Sequence, residues 1–352
     1  MSEEFAFESD EVSIAFGTLA GLGDAVIARK VFDALIELVP NCRIDFYCLT
    51  APHKTFAAAF FGDSKNLNRL LSKEEHNANM KKYDVSLYVG GCHAIFFDYV
   101  NINRLNEIAP NLLQCLIKIE NYNRVNIYQL GEWRLTAALR NMTAAQILGK
   151  NWHHFLAYEG ALPIRDDKIN IPLKPEFQPE FDALNLGRYI TIYTDIDESE
   201  KNRPKVKTWP LHCHVEFVAR MKKRRPDIKI VQVGGHGDLK VENADRHVLG
   251  CDLELTKHIL ANSLLNVGCE GGLTHLATAL GTKCIVLFGS NSVEYFGYPR
   301  NINLVSEVCR PCMYIVPDFQ VCMLGAKVPP CMLSLTPRTV CDVACEYLKN
   351  NA

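Results

Sequence analysis

The stretch 269–289 combines a carboxylate, two glycines and a helix start. Glu270 is followed by Gly271 and Gly272, and an apolar pattern that begins at Leu273 predicts one face of a helix. Glycines let a ligand approach the backbone, and the unpaired N–H groups and dipole of a helix start favour an anion. The stretch therefore predicts an anion-binding turn, although an ordinary structural turn between a strand and a helix fits the same pattern.

Two predicted strands flank this turn. Residues 264–268 form a short apolar run before it, and residues 285–288 form a second run after Gly281, which is expected to end the helix. Thr274 and His275 fall in the first helical turn. The candidate binding residues at this position are Glu270, Gly271, Gly272, Leu273, Thr274 and His275.

Asp24 is a second candidate, because it follows Gly21, Leu22 and Gly23 after a predicted strand at 12–17. Strands of open α/β sheets place ligands at their carboxyl ends, where a carboxylate can act as a general base. An aspartate at a helix start is also a common N-cap. Both interpretations remain open for Asp24 at this level.

Six of the fourteen cysteines lie near the C-terminus. Cys309, Cys312, Cys322 and Cys331 have the spacing C-x2-C-x9-C-x8-C, which can supply four thiolates to a tetrahedral zinc or iron centre. Free thiols are the alternative. The remaining two, which stand four residues apart in a predicted terminal helix, are expected to pack rather than bind.

The sequence EGGLTHLA at 270–277, continued by ALG at 279–281 and LFG at 287–289, resembles the C-terminal signature of family 9 glycosyltransferases, the heptosyltransferases. In that family the segment binds the nucleotide-sugar donor. The family usually has Asp at the position of Glu270, and the extra methylene moves the carboxylate by about 1.5 Å. This departure bears on the donor sugar rather than on the fold.

The resemblance assigns roles to other residues. Gly23-Asp24 matches a Gly-Asp pair whose aspartate is the catalytic base in the family. Lys207, in the sequence Lys-x-Trp-Pro, resembles the lysine that binds donor phosphate, whereas on its own it fits an exposed surface lysine. A Cys-x-Pro-Cys segment with later cysteines also occurs in relatives such as the autotransporter heptosyltransferases. The metal is therefore expected to be structural iron or zinc, with no catalytic metal.

A chain of 352 residues with 48% hydrophobic and 22% charged residues predicts a globular protein of two domains. The net charge of −2 argues against a nucleic-acid partner. The acidic N-terminus lacks a signal-peptide pattern, and no apolar run reaches the about 18 residues of a membrane span. We therefore expect a cytoplasmic protein, with peripheral attachment to the inner face of the membrane as an alternative.

Alternating strand and helix patterns predict an α/β fold with two Rossmann-like domains that face each other across a cleft, the GT-B architecture. The expected divisions are an acceptor domain at 1–165, a linker at 166–181, and a nucleotide-sugar domain at 182–352 with a cysteine-rich finger at 309–331. Further predictions in the first domain are helices at 103–119 and 136–159, a strand at 125–130, and a loop histidine, His93, that either contacts substrate or has no role.

The resemblance implies an inverting glycosyltransferase that transfers a heptose-like sugar from an ADP-sugar to a hydroxyl of a protein serine or of a lipopolysaccharide core glycan. A homo-oligomer is compatible with this activity. One rival is a Rossmann-type sugar-nucleotide epimerase or oxidoreductase, but the glycines after the first strand read G-x3-G-x-G rather than G-x-G-x2-G. Another is a catalytically silent sugar-nucleotide-binding assembly protein, which an assay of sugar transfer distinguishes.

Overall fold

The computed structural model describes residues 10–18, 21–90, 93–128, 133–196, 205–315 and 321–351. The chain divides into two compact units, an N-terminal unit (Met1–Ile169) and a C-terminal unit (Asn170–Ala352). The division falls within the stretch 166–181 that the sequence analysis takes as a linker. That stretch is not wholly irregular, because a short 3-10 helix, Pro175–Phe177, and the start of a following α-helix lie in it.

The N-terminal unit is a five-stranded α/β layer structure. Its elements are β1 (Ser13–Thr18), α1 (Leu22–Leu38), β2 (Arg43–Cys48), α2 (Ala51–Phe60), β3 (Leu67–Ser72), α3 (Lys73–Asn79), β4 (Val85–Val89), β5 (Ile95–Val100), α4 (Ile102–Ile108), α5 (Pro110–Asn126), α6 (Trp133–Leu148) and α7 (Trp152–Leu156). The strand order is β3-β2-β1-β4-β5, with parallel pairing except between β4 and β5.

An aromatic cluster joins α1 to this sheet. Phe16 of β1 packs on Phe32, Phe46 and Phe61, and the ring centroids are between 5.0 Å and 5.9 Å apart. All four rings are fully buried, and tilted or edge-on aromatic pairs of this kind add to the free energy of area burial. The first residues of α1 are therefore held at the carboxyl end of β1.

Three predictions for the N-terminal unit are wrong in detail. The strand expected at 125–130 does not form at 125–128, because α5 continues to Asn126; residues 129–130 lie outside the described residues. Val125 is exposed, while Asn123 is buried and its side chain donates to the Ile95 carbonyl over 2.6 Å. Tertiary contacts therefore override the local pattern.

The single helix expected at 103–119 is two α-helices, and the one expected at 136–159 is two α-helices followed by a short 3-10 helix, Tyr158–Gly160. Pro110 disfavours a helical conformation at the residue before it, and Ala109 has φ −148°, so α4 ends there and α5 begins at the proline. In the same way α6 ends at Leu148, and α7 begins only after Asn151, whose side chain accepts from the His153 N–H.

The C-terminal unit has an all-parallel sheet. Its elements are α8 (Gln178–Ala183), β6 (Tyr189–Ile192), α9 (Leu211–Arg224), β7 (Lys229–Gly234), β8 (Arg246–Leu249), α10 (Leu253–Ala261), β9 (Asn266–Cys269), α11 (Gly272–Ala279), β10 (Cys284–Phe288), α12 (Val293–Phe296), β11 (Ile302–Val305), α13 (Pro330–Ser334) and α14 (Pro337–Asn351). The strand order is β11-β10-β9-β6-β7-β8. Two Rossmann-like α/β units confirm the predicted fold class.

The terminal helix α14 packs on α9. Cys341 and Cys345 are buried there against Met221, with Sγ–Sδ distances of 3.6 Å and 3.8 Å, which agrees with the expectation that they pack. None of the helices among the described residues combines the length and the apolar composition that crossing a membrane requires.

Candidate functional site

The candidate binding turn lies where the C-terminal sheet changes the direction of its winding. β6 and β9 are hydrogen-bonded neighbours although two strands separate them in sequence, with Thr191 opposite Asn266 and Ile192 opposite Val267. Parallel α/β sheets bind ligands in the crevice at the carboxyl ends of such strands. The residues after Ile192 and after Cys269 are therefore at the expected position of a ligand site.

The turn after β9 leads directly into α11. Gly271 is the N-cap, with no capping side chain, and α11 begins at Gly272. The N–H of His275 bonds to the Gly271 carbonyl over 3.1 Å, whereas the preceding amides of the first turn lack partners within the helix. The helix ends as predicted, because Gly281 has φ +88°, a conformation that favours glycine.

Glu270 is the centre of a buried polar network. Its Oε1 accepts from His275 Nε2 over 3.0 Å, and its Oε2 accepts from the Asn291 amide. The other ring nitrogen of His275 is 2.8 Å from the Tyr298 hydroxyl. Burial raises the pKa of Glu270, but the charges of Lys207 and His275 and the hydrogen bonds lower it by more, to about 2. Glu270 is therefore a carboxylate at neutral pH.

Lys207 lies beside this network. Its Nζ is 3.6 Å from Glu270 Oε2, and a Cβ placed on Gly271 would be 3.9 Å from the same nitrogen. The loop that carries Lys207 is fixed by Trp209, whose backbone N–H donates to Cys269 Sγ over 3.1 Å and whose indole N–H donates to the Leu335 carbonyl over 2.9 Å. The ammonium group of Lys207 thus lies next to the start of α11.

Tyr193 was not identified from the sequence, although it connects the two strand ends. Its hydroxyl bonds to the Cys269 carbonyl and lies 2.6 Å from Thr274 Oγ1. Burial raises the pKa of Tyr193 well above its ordinary value, so the phenol stays neutral. A Cβ on Gly268 would lie 2.2 Å from the Tyr193 ring, which explains the glycine within β9. The position of Tyr193 directly after the buried strand β6 was the sequence feature that could have identified it as a candidate site residue.

Three buried polar atoms around this turn have no hydrogen-bond partner among the described residues. They are Thr194 Oγ1, Thr208 Oγ1 and Asn291 Oδ1, and each residue is less than 5% exposed. A buried polar group without a partner costs about 1–3 kcal/mol, so each of these atoms is a candidate for a contact with a bound ligand or water. Thr194 follows Tyr193, and Thr208 follows Lys207.

The predicted binding residues differ in burial and in their hydrogen bonds. Lys207, Gly272 and Leu273 are half-buried, so the lysine ammonium and the backbone at the start of α11 are partly accessible, whereas Gly271 is buried. Thr274 and His275 are buried, and their side chains bond within the unit. The side chains of Thr274 and His275 therefore stabilise the turn.

Asp24 lies in the first turn of α1 in the N-terminal unit, but it is not the cap. The helix begins at Leu22 with Gly21 as N-cap, and no side chain caps it. The capping interpretation of Asp24 is therefore wrong, because the helix starts two residues earlier than the pattern suggested. Asp24 Oδ1 is instead 3.6 Å from Nε2 of His93, the histidine that follows β4.

The cysteine-rich segment is attached to the end of β10. The N–H groups of Cys312 and Met313 donate to the Ser290 carbonyl over 2.9 Å and 3.0 Å. Burial raises the pKa of Cys331 to about 12, and its interactions with the other three cysteines add to this effect. Among the described residues, however, no three His, Cys, Asp or Glu side chains have the arrangement of a metal site.

Residues 179–317 match the family model of glycosyltransferase family 9 (heptosyltransferase). The match contains Lys207, the turn at 270–275 and the first two cysteines of the segment. The matched residues all lie within the C-terminal unit. A search of curated protein sequences found no match.

Solved structures of family 9 glycosyltransferases share the fold. A family 9 glycosyl transferase from Veillonella parvula is 14% identical, with a TM-score of 0.60 over 98% of this chain and 99% of that chain. E. coli ADP-heptose lipopolysaccharide heptosyltransferase II is 13% identical, with a TM-score of 0.61 over 97% of this chain and 100% of that chain. At these identities the likeness shows the fold.

A third solved structure with this fold is that of an iron-containing oligomer. It is the dodecameric, iron-containing heptosyltransferase TibC of enterotoxigenic E. coli, solved with ADP-D-beta-D-heptose. It is 11% identical, with a TM-score of 0.62 over 96% of this chain and 77% of that chain.

Proposed function

We propose that the protein is an inverting glycosyltransferase that transfers a heptose-like sugar from an ADP-sugar donor to a hydroxyl acceptor. The observation that carries this proposal is the proximity of Lys207 to the start of α11, between the ends of β6 and β9 and within the segment that matches the family 9 model. The solved relatives named as heptosyltransferases support ADP-heptose as the donor.

The donor diphosphate would bind at the start of α11. The backbone N–H groups of Gly272 and Leu273 and the positive end of the helix dipole attract an anion, and Lys207 adds a full charge. An ammonium group has three N–H donors, so its contact with Glu270 is compatible with a further one to phosphate. The unpartnered hydroxyls of Thr194 and Thr208 are further candidates for contacts with the donor.

Glu270 would hold this arrangement rather than react. Its carboxylate is buried, ionised and bonded to His275 and Asn291, so it fixes the turn and keeps Lys207 next to the helix start. Negative charge grows on the departing diphosphate as the glycosidic bond breaks. Groups that are already oriented toward that charge lower the barrier without having to reorganise.

Asp24 would be the general base. In the proposed reaction it takes the proton of the acceptor hydroxyl while the acceptor oxygen attacks the anomeric carbon, and ADP leaves with the bonding electrons from the opposite face. One displacement on that carbon inverts its configuration. The position of Asp24 after β1, and its failure to act as the helix cap, support this role.

The acceptor is proposed to be a hydroxyl of a protein serine or of a lipopolysaccharide core glycan. E. coli heptosyltransferase II, a lipopolysaccharide heptosyltransferase, supports the glycan class, and the protein class rests on the resemblance described in the sequence analysis. A homo-oligomer, as in dodecameric TibC, and a cytoplasmic location with access to the inner face of the membrane belong to the same proposal.

We further propose that Cys309, Cys312, Cys322 and Cys331 bind a structural iron or zinc ion. Their spacing and the iron-containing TibC support this assignment. Thiolate ligands suit either metal. The reaction outlined above requires no step at this metal.

Isothermal calorimetry with ADP, and assays of ADP release from ADP-heptose, test the donor site. Loss of a charged hydrogen bond costs about 1.5–3 kcal/mol, so Lys207→Met should weaken ADP binding by about 10- to 150-fold. The exposed Lys223 on α9 provides the matched control, and Lys223→Met should bind ADP like the parent. Failure of the parent to bind ADP or to release it from ADP-heptose would refute the proposed function.

A further inference from the structure

Asp24 and His93 meet where the N-terminal sheet changes the direction of its winding. β1 lies between β2 and β4, so the crevice at the carboxyl end opens between β1 and β4. Asp24 follows β1, and His93 follows β4. At the end of the paired strands, Thr18 lies opposite Val89.

A buried hydroxyl at the same strand ends supports a ligand there. Thr18 is completely buried, and its Oγ1 has no hydrogen-bond partner among the described residues. This matches the unpartnered threonine hydroxyls at the corresponding end of the C-terminal sheet. The end of β1 therefore has a polar group that a bound hydroxyl compound could complete.

His93 supports the Asp24 carboxylate from the protein side. The Asp24 side chain is 30% exposed, whereas that of His93 is 2% exposed, and Nε2 of the histidine is 3.6 Å from Oδ1 of the aspartate. One part of the carboxylate thus faces a buried imidazole while another part reaches solvent. Contacts of this kind are often longer in a ligand-free protein than in the reacting complex.

The loop after β4 fixes this histidine. His93 has φ +66°, which is uncommon for a residue other than glycine, and its N–H donates to the Gly90 carbonyl over 3.1 Å. The Gly90 N–H in turn donates to the Ala94 carbonyl over 2.7 Å. The imidazole packs edge-on against the fully buried Trp152, with ring centroids 6.1 Å apart. These contacts restrict the orientation of the His93 imidazole.

We infer that His93 is a positioning residue for the proposed base, Asp24. His93 donates its Nε2–H toward Oδ1 and so presents Oδ2 to the acceptor hydroxyl. In the reaction the acceptor proton moves to Asp24, the acceptor oxygen bonds to the anomeric carbon, and ADP leaves; His93 neither gains nor loses a proton. This inference rests on the proposed function and adds to it the group that orients the base.

Kinetics with ADP-heptose as the donor and water as the acceptor test the inference, with ADP release as the readout. Misplacing a reacting group by about 1 Å can cost about 100-fold, so His93→Leu should lower kcat by about 10- to 100-fold and leave the donor KM unchanged. His93→Gln can still donate an N–H at similar reach and should recover most of kcat. His154→Gln changes an exposed histidine on α7 and is the matched control.

The decisive measurement is a double-mutant cycle with Asp24→Asn. If His93 acts through Asp24, His93→Leu should lower the residual rate of Asp24→Asn by less than about threefold, because the group that it orients is already lost. An equal loss in both backgrounds, or unchanged kcat in His93→Leu, would overturn the inference.

A further variant separates positioning from folding. Asparagine adopts positive φ readily but has a shorter side chain, so His93→Asn should keep the melting temperature and still lower kcat. If the rate loss followed only a lower melting temperature, His93 would be structural. A parent that neither binds nor cleaves ADP-heptose refutes the proposed function, whereas an active parent that needs Asp24 but not His93 refutes this inference alone.

Discussion

The lowered pKa of Glu270 makes the stability of the C-terminal unit dependent on pH. The ordinary glutamate pKa of 4.5 falls to about 2 at this site. A folded-state pKa below the ordinary one means that the ionised carboxylate stabilises the folded unit at pH values above 4.5. This stabilisation is lost as the pH falls toward 2. A difference of this size corresponds to about 3 kcal/mol.

The perturbation is Glu270→Gln, which keeps the shape of the side chain and removes its titration. Between about pH 6 and about pH 3.5 the parent should lose about 1.4 kcal/mol more unfolding free energy than this variant. Glu242→Gln removes an exposed carboxylate of the same unit and is the control. Its pH dependence should follow that of the parent.

The assay must report on the C-terminal unit separately. Trp209 is the one tryptophan in that unit, and the other two, Trp133 and Trp152, lie in the N-terminal unit. With 5-fluorotryptophan incorporated, the fluorine resonance of Trp209 follows urea unfolding of the C-terminal unit at each pH. If the difference between parent and Glu270→Gln stayed within about 0.3 kcal/mol over this range, the buried network would not hold Glu270 ionised, and the reasoning would be wrong.

Three further predictions concern the site and the cysteines. Gly271→Val should fold, since its Cβ has ordinary contacts to Tyr193 and Lys207, but its methyl groups should obstruct a diphosphate. Calorimetry should show that ADP binding is weakened more than about tenfold, and an unchanged affinity would place the diphosphate elsewhere. Elemental analysis should find iron or zinc in the parent and none in Cys312→Ser, whereas a stable metal-free parent would remove the metal from the proposal. Asp24→Asn should lower turnover by about 10²–10⁴-fold with ADP affinity kept, and near-parental turnover would exclude Asp24 as the base.

The local structure of the candidate binding turn could be predicted from the sequence, because its elements are contiguous. A short apolar run, two glycines and a helical pattern that ends at Gly281 are contiguous, and the structure has β9, α11 and β10 in that order. Glycine conformations and helix periodicity act over a few residues, so they can be recognised without tertiary information. The position of Lys207 depended on the family resemblance, since a lysine in a loop has no distinctive pattern.

Contacts between distant strands could not be predicted in the same way. Tyr193 reaches the Cys269 carbonyl only because β6 lies beside β9, and this pairing is a property of the whole sheet. Asn291 contacts Glu270 from the loop after β10 for the same reason. The sequence places each residue after a strand but does not say which strand ends are adjacent.

The exact first residue of α1 could not be predicted from the sequence, for a different reason. Glycines and an aspartate indicated a helix start near Asp24, but the choice of cap depends on the backbone conformation of a single residue. Gly21 has φ −74° and ψ −169°, the extended geometry of an N-cap, so the helix begins at Leu22. An error of two residues changed Asp24 from a capping residue to one whose side chain is directed at His93.

In both sheets, polar residues that follow adjacent parallel strands lie close together. In each unit the first strand pairs with the fourth, and the residues that follow these strands contact each other: Asp24 with His93 after β1 and β4, and Tyr193 with Thr274 after β6 and β9. Strand order therefore decides which residues can act together, and residue type decides the chemistry. A buried histidine beside a carboxylate suits proton transfer to an aspartate, whereas the lysine and helix start in the C-terminal unit suit an anion. Each proposed role depends on side chains within one unit, so mutations in one unit should test donor binding separately from base orientation.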